Sequence, residues 1–195
     1  MNRRHRTDQP ADQWSGWSYY GAAHRYDVHD TPEATAACDR LMDRLEAAGD
    51  ERTLRKLAYD DSNACAFIRL VEMMVDADRI TDLRTLALDG DGRAFATLME
   101  LLVREDRAEQ LRAEVPVFAS ARAWLAHTLV RRGDIDSALL ELEELESDPE
   151  HGHFAHSERL NLLLAYGRVD EVRMLAEAGD RPAARRLKHW LASAQ

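Results

Sequence analysis

Residues 129–139, LVRRGDIDSAL, decide how the whole chain is read. An apolar helical stretch runs down to Gly133 and stops, and a second stretch begins behind Asp134. Glycine tolerates the left-handed conformation that follows a helix end. Aspartate accepts hydrogen bonds from the free N–H groups that open the next helix. Gly-Asp therefore predicts a two-residue stop and restart, and it recurs at Gly49-Asp50, Gly90-Asp91 and Gly179-Asp180. Related phrases lie at 45–54 (LEAAGDERTL), 71–83 (VEMMVDADRITDL) and 101–111 (LLVREDRAEQL). In these four phrases Asp50, Asp78, Asp106 and Asp134 stand 28 residues apart. Ala77-Asp78 and Glu105-Asp106 lack the glycine and are expected to keep only the restart. A fixed period of this size means stacked supersecondary units.

Between these marks the pattern predicts short helices near 51–59, 79–88, 107–113, 135–146 and 168–178. Longer ones are predicted near 32–48, 63–76, 92–104, 117–132, 154–166 and 181–193. Thr31 and Pro32 give the first an N-cap and a proline at its first helical position. Short and long alternate, so each unit is an antiparallel pair joined by a tight turn. Equivalent core positions are Leu41, Leu70, Leu98, Leu125, Leu160 and Leu187 in the long helices. Leu54, Leu83, Leu111, Leu139 and Val172 match in the short ones. Long-helix strings such as FATLMELLV (95–103) are apolar on most faces and belong to the buried layer. The expected fold is all-α: a right-handed α-solenoid of about five helix hairpins with a period near 28. It occupies residues 31–195, behind an aromatic, non-helical arm or cap over 1–30. From Asp134 to the restart at Arg168 is 34 residues, and the extra ones fall in ESDPEHGHFAHSE (146–158), where a projecting loop is expected.

Composition narrows the function classes. The chain has 195 residues, enough for one domain with a sizeable core, and a net charge of −10. That charge argues against a long nucleic-acid footprint, which needs clustered Lys and Arg. Cys38 and Cys65 lie in helical, apolar contexts and read as buried free thiols of a reducing compartment. The start, MNRRHRTDQPADQW, has no apolar core of a secretory signal, and no apolar run reaches the length of about 18 residues that spans a membrane. A cytoplasmic location is the expectation, with no membrane partner.

The phrases RRGDIDSALLELEEL (131–145) and VRMLAEAGDRPAARRLKHWLA (172–192) resemble the short helical-hairpin repeats of actinobacterial-type proteins, loosely tetratricopeptide-like and HEAT-like. The resemblance covers residues 36–193. The period falls short of the tetratricopeptide unit of about 34, and most repeats lack its Trp, Gly-Tyr and Pro markers. The resemblance implies a scaffold that binds another protein or a peptide.

Superposing the repeats predicts a wet ridge along the long helices. Arg69, Glu72, Glu100, Arg104, Trp124, His127, Arg131 and Arg159 fall on it, at positions three and four apart that share a helix face. Trp124, with His127 one turn along, is the aromatic exception on a polar stripe and the expected anchor for a partner. The alternative is that Trp124 is covered by the N-terminal segment or packs between repeat units. Trp14, Trp17, Tyr19 and Tyr20 are expected either to cap the open first helix or to contact a partner. His151, His153 and His156 form an HxHxxH cluster, the one metal-like constellation. ELEELESDPE (141–150) carries six carboxylates and suits a basic partner. No GxSxG, P-loop, GxGxxG or HExxH occurs, so no catalytic residue and no cofactor is expected. The leading expectation is a non-catalytic interaction scaffold. Its alternatives are an acidic immunity- or antitoxin-like protein that neutralises a basic partner, and a small helical-repeat enzyme or metal-binding protein using the His151–His156 insert.

Overall fold

A computed structural model of the chain describes residues 31–59 and 63–193. Among the described residues there are eleven α-helices and no strand. They are α1 (Pro32–Ala47), α2 (Glu51–Tyr59), α3 (Ala64–Asp76), α4 (Ile80–Leu88), α5 (Gly92–Arg104) and α6 (Ala108–Glu114). Then follow α7 (Ala121–Arg131), α8 (Ile135–Leu145), α9 (Gly152–Ala165), α10 (Val169–Glu177) and α11 (Arg181–Ser193). Each lies within a few residues of its predicted bounds. The largest shift is at α7, which starts at Ala121 because the N–H groups of Val117 and Phe118 bond the Glu114 carbonyl in a tight turn. None of these helices is long and apolar enough to cross a membrane.

Seven of the helix ends share one geometry. Seven described residues have positive φ: Gly49, Asp78, Gly90, Asp106, Gly133, Gly167 and Gly179. The residue after each sends its N–H five residues back: Asp50 to Leu45, Arg79 to Met74, Asp91 to Leu86, Arg107 to Leu102, Asp134 to Leu129, Arg168 to Leu163, and Asp180 to Leu175. All seven bonds measure 2.8–3.1 Å. This is the Schellman closure, which satisfies a carbonyl that the helix leaves orphaned.

That geometry corrects the reading of the aspartates. Asp50 and Asp134 are restart caps, accepting from the backbone N–H of Thr53 (3.1 Å) and of Ser137 (3.2 Å). Asp91 and Asp180 do the same for Ala94 and Ala183. Asp78 (φ 53°) and Asp106 (φ 57°) instead stand where the other turns have glycine, and they end a helix. Arg79 and Arg107 follow at the N-cap and make no side-chain cap bond. The even 28-residue spacing thus joins two different positions. The left-handed residues that close the longer helices lie at 49, 78, 106, 133 and 167, at intervals of 29, 28, 27 and 34.

Burial follows the expected layering. Leu70, Leu98, Leu125 and Leu160, with Leu54, Leu83, Leu111, Leu139 and Val172, are all buried; Leu41 and Leu187, in the first and last helices, are half-buried. Short helices bury a narrow stripe, such as Leu54 with Ala58 or Leu83 with Ala87, whereas α3, α7 and α9 each bury five or more side chains. The chain divides into two compact units, with the border between Leu98 and Met99 inside α5. In the first, α1 packs on α2 and α3, α2 on α3, and α3 on α4. In the second, α6 to α9 pack consecutively, α9 also meets α10 and α11, and α10 packs on α11.

If Asp78 ends a helix and Asp134 starts one, their substitutions separate. Asp134→Ala is expected to lose about 1 kcal/mol of stability through its cap. Asp78→Gly, which relieves the left-handed backbone, is expected to cost less than Asp134→Ala. Urea unfolding of the two variants checks that order.

Candidate functional site

The arginines of the predicted ridge are occupied within their own unit. In the first unit Arg69, on α3, donates to Asp43 (2.9 Å) and Glu46 (2.5 Å) of α1, with Glu72 at 3.9 Å. In the second, Arg131 donates to the Val103 carbonyl (3.0 Å), Arg159 to Glu146 (2.6 Å), and exposed Arg104 lies 3.5 Å from Glu105. Glu72 is exposed, and Glu100 is half-buried. Trp124 is 5% exposed, which places it in the packed layer and not on a wet stripe; His127 beside it is half-buried. The physical reason is local: Ala121, Ala123, Leu125, Ala126, Thr128 and Leu129 of α7 are buried with it, so little of this helix is solvated. Trp14, Trp17, Tyr19 and Tyr20 lie outside the described residues.

The histidine insert is ordered, and its imidazoles go separate ways. Asp148 accepts from the N–H groups of Glu150 (3.0 Å) and His151 (2.8 Å), and the Gly152 N–H bonds the Asp148 carbonyl. A Cβ on Gly152 would sit 2.3 Å from the Glu146 backbone oxygen, so only glycine fits this tight entry into α9. His151 pairs its Nδ1 with Asp148 (2.8 Å), and these bonds hold the Asp148 carboxyl below its ordinary range, the His151 backbone N–H first and its ring second. His156 faces Glu146 (3.1 Å) with Nδ1 and Asp180, the cap of α11, with Nε2 (2.8 Å). His153 is exposed. The candidate cluster is thus not brought together: α9 begins within the insert at Gly152, His151 and His156 face different carboxylates, and His153 is exposed. Among the described residues no group of three His, Cys, Asp or Glu side chains is placed to hold a metal ion.

Sequence reasoning missed a second network, built on arginines next to the turns. Arg79, at the N-cap of α4, pairs with Asp82 one turn ahead and reaches back to Glu51 (2.5 Å) at the start of α2. Arg168, at the N-cap of α10, repeats this with Glu171 and with Asp136 (2.5 Å) near the start of α8. Arg132 donates to both the Asp106 carboxylate (2.8 Å) and its backbone carbonyl (2.6 Å). The available signal was an arginine directly after a left-handed residue with an acid three residues on, as in DRITD (78–82) and GRVDE (167–171). Of the acidic run, Glu141 accepts from Arg122 (2.6 Å) and Glu146 from Arg159, while Glu143 and Glu144 stay 61% and 58% exposed.

Large apolar side chains do reach solvent, chiefly Leu140 on α8 (57%) and Met174 on α10 (61%). Around them in sequence stand Asp136 (89% exposed), Glu143, Glu144 and Asp170 (87%). The Arg168 bond to Asp136 brings the start of α10 within one side chain of α8.

Two carboxyls respond to acid in opposite directions. The Arg79 guanidinium holds the Glu51 carboxyl down at about 2, with Arg55 helping. That ion pair's contribution is present above the ordinary carboxylate range and fades as pH falls towards 2. Burial raises the Glu158 carboxyl, against an Asn161 hydrogen bond and the Arg186 charge. Ionising it in the folded state costs stability as pH rises through its titration. Glu51→Gln is expected to lose about 1 kcal/mol at pH 7, a deficit that closes in acid. Glu158→Gln is expected to gain stability at pH 7 and to lose that advantage in acid. Denaturation curves across pH 3–8 read both.

Comparison with family models, curated proteins and solved structures finds no match to this chain.

Proposed function

We propose that this chain is a right-handed α-solenoid of about five helical hairpins that binds another protein or a peptide and carries out no reaction itself. What supports the repeat is the recurrence of one turn closure and one arginine cross-link at comparable spacing. Glu51 to Arg79 is 28 residues, Val103 to Arg131 is 28, and Asp136 to Arg168 is 32. Each such bond ties the edge of one hairpin to the next. A stack of this kind offers long, preformed surfaces, which suit recognition at low ordering cost.

The surface we assign to partner binding is the solvent side of α8 and α10. Leu140 and Met174 supply apolar area that the fold leaves wet, and Asp136, Glu143, Glu144 and Asp170 supply unburied negative charge. A partner segment with an apolar stripe and basic flanks, as in an amphipathic helix, matches both. The carboxylates would speed its approach more than hold it. The acidic-neutraliser reading uses the same helix but asks charge to dominate. Pairing counts against it: Glu141, Glu143, Glu144 and Glu146, with Asp136 and Asp170, each face an arginine of the chain itself, which leaves the apolar pair Leu140 and Met174 as the stronger feature.

The test is partner capture by the tagged chain and by a Leu140→Ser/Met174→Ser variant. The variant is expected to bind the recovered partner about tenfold or more weakly, equivalent to at least about 1.4 kcal/mol, with its helical circular dichroism intact. Unchanged affinity would remove this surface from the site. Binding that survives the double variant but collapses between low and moderate salt would favour the charge-driven reading.

A further inference from the structure

The two cysteines sit on adjoining helices of the first unit, on faces that meet. Cys38 is on α1 and Cys65 on α3, and these helices pack against each other. One face of α1 carries Cys38, Met42 and Glu46 at four-residue intervals, and one face of α3 carries Cys65 and Arg69. Met42 is buried in this seam, and Arg69 closes it by donating to Glu46 and Asp43. Farther along the same seam the Cys38 thiol is hydrogen-bonded to Cys65. Both cysteines are half-buried, so a small reagent can reach them from the side.

We propose that Cys38 and Cys65 form a reversible disulfide that staples α1 to α3 when a low-molecular-weight disulfide is the oxidant. The exchange balances in two steps. The Cys65 thiolate attacks one sulfur of the oxidant R–S–S–R, forming Cys65–S–S–R and releasing one RS⁻. The Cys38 thiolate then attacks the Cys65 sulfur, forming the Cys38–Cys65 bond and releasing the second RS⁻. Two protein S–H groups are oxidised, one small disulfide is reduced to two thiols, and the two protons leave with them. The order follows from the surroundings of Cys38. Burial, then the hydrogen bond and charge of Cys65, then Asp39 push its thiol up to about 11, which makes Cys38 a poor first nucleophile while Cys65 stands reduced beside it. Two of those influences come from Cys65 and change once Cys65 carries the mixed disulfide, which readies Cys38 for the second step. The finished bond closes a loop containing α2 and restricts the unfolded chain.

The experiment equilibrates the full chain with oxidised and reduced glutathione and maps its peptides without reduction. Wild type is expected to yield a Cys38–Cys65-linked peptide pair, to lose both free thiols, to keep no glutathione, and to melt at a higher temperature than its reduced form. Cys38→Ser, which cannot resolve the adduct, is expected to keep one glutathione on Cys65. A wild-type chain that retains glutathione on Cys65, or that retains both thiols at the oxidising end of the series, overturns the proposal.

Discussion

Seven of the helix junctions among the described residues depend on one residue held at positive φ, with the N–H that follows it bonded to a carbonyl five residues back. This closure sets where a helix stops, and it leaves two residues at most before the next begins. Five of the seven turns use glycine, which pays no steric cost there. Asp78 and Asp106 accept the same backbone, and aspartate is among the few side chains for which it is mild.

A second constraint is laid over the first. Because the turns lie at nearly even intervals, side chains next to one turn can reach the neighbouring one, and arginine has the length and the fork of donors to do so. Arg79, Arg131, Arg132 and Arg168 all work in this way, two of them onto backbone carbonyls. The consequence for function is direct. A ridge arginine engaged with its own fold is a weak basis for a binding site, and the solvent-facing apolar residues Leu140 and Met174 become the more informative features.

Much of the fold was legible because its punctuation is chemical. Gly-Asp at 49–50, 90–91, 133–134 and 179–180 marks a conformation only glycine takes freely, followed by a good cap, and these helix ends fall where predicted. The identity of Asp78 and Asp106 was not legible, since aspartate serves both as a cap and as a left-handed residue and the sequence does not say which. Of the two placements open to Trp124, the structure takes the packed one. Superposing repeats assigns exposure by position, but α7 buries seven of its eleven residues, and that depends on what packs around it. The His151–His156 insert resembled a ligand set because spacing alone does not tell where each ring points. In the structure His151 and His156 each find a carboxylate first.

The measurement that bears most directly on this account is the backbone φ at Asp50, Asp78, Asp106 and Asp134 in solution, from amide-to-Hα couplings and intraresidue contacts in NMR. The account predicts the left-handed signature at Asp78 and Asp106 and its absence at Asp50 and Asp134. Four aspartates with the same negative φ would contradict it, because the turns would then be built on the 28-residue spacing of the aspartates and not on the closures described here.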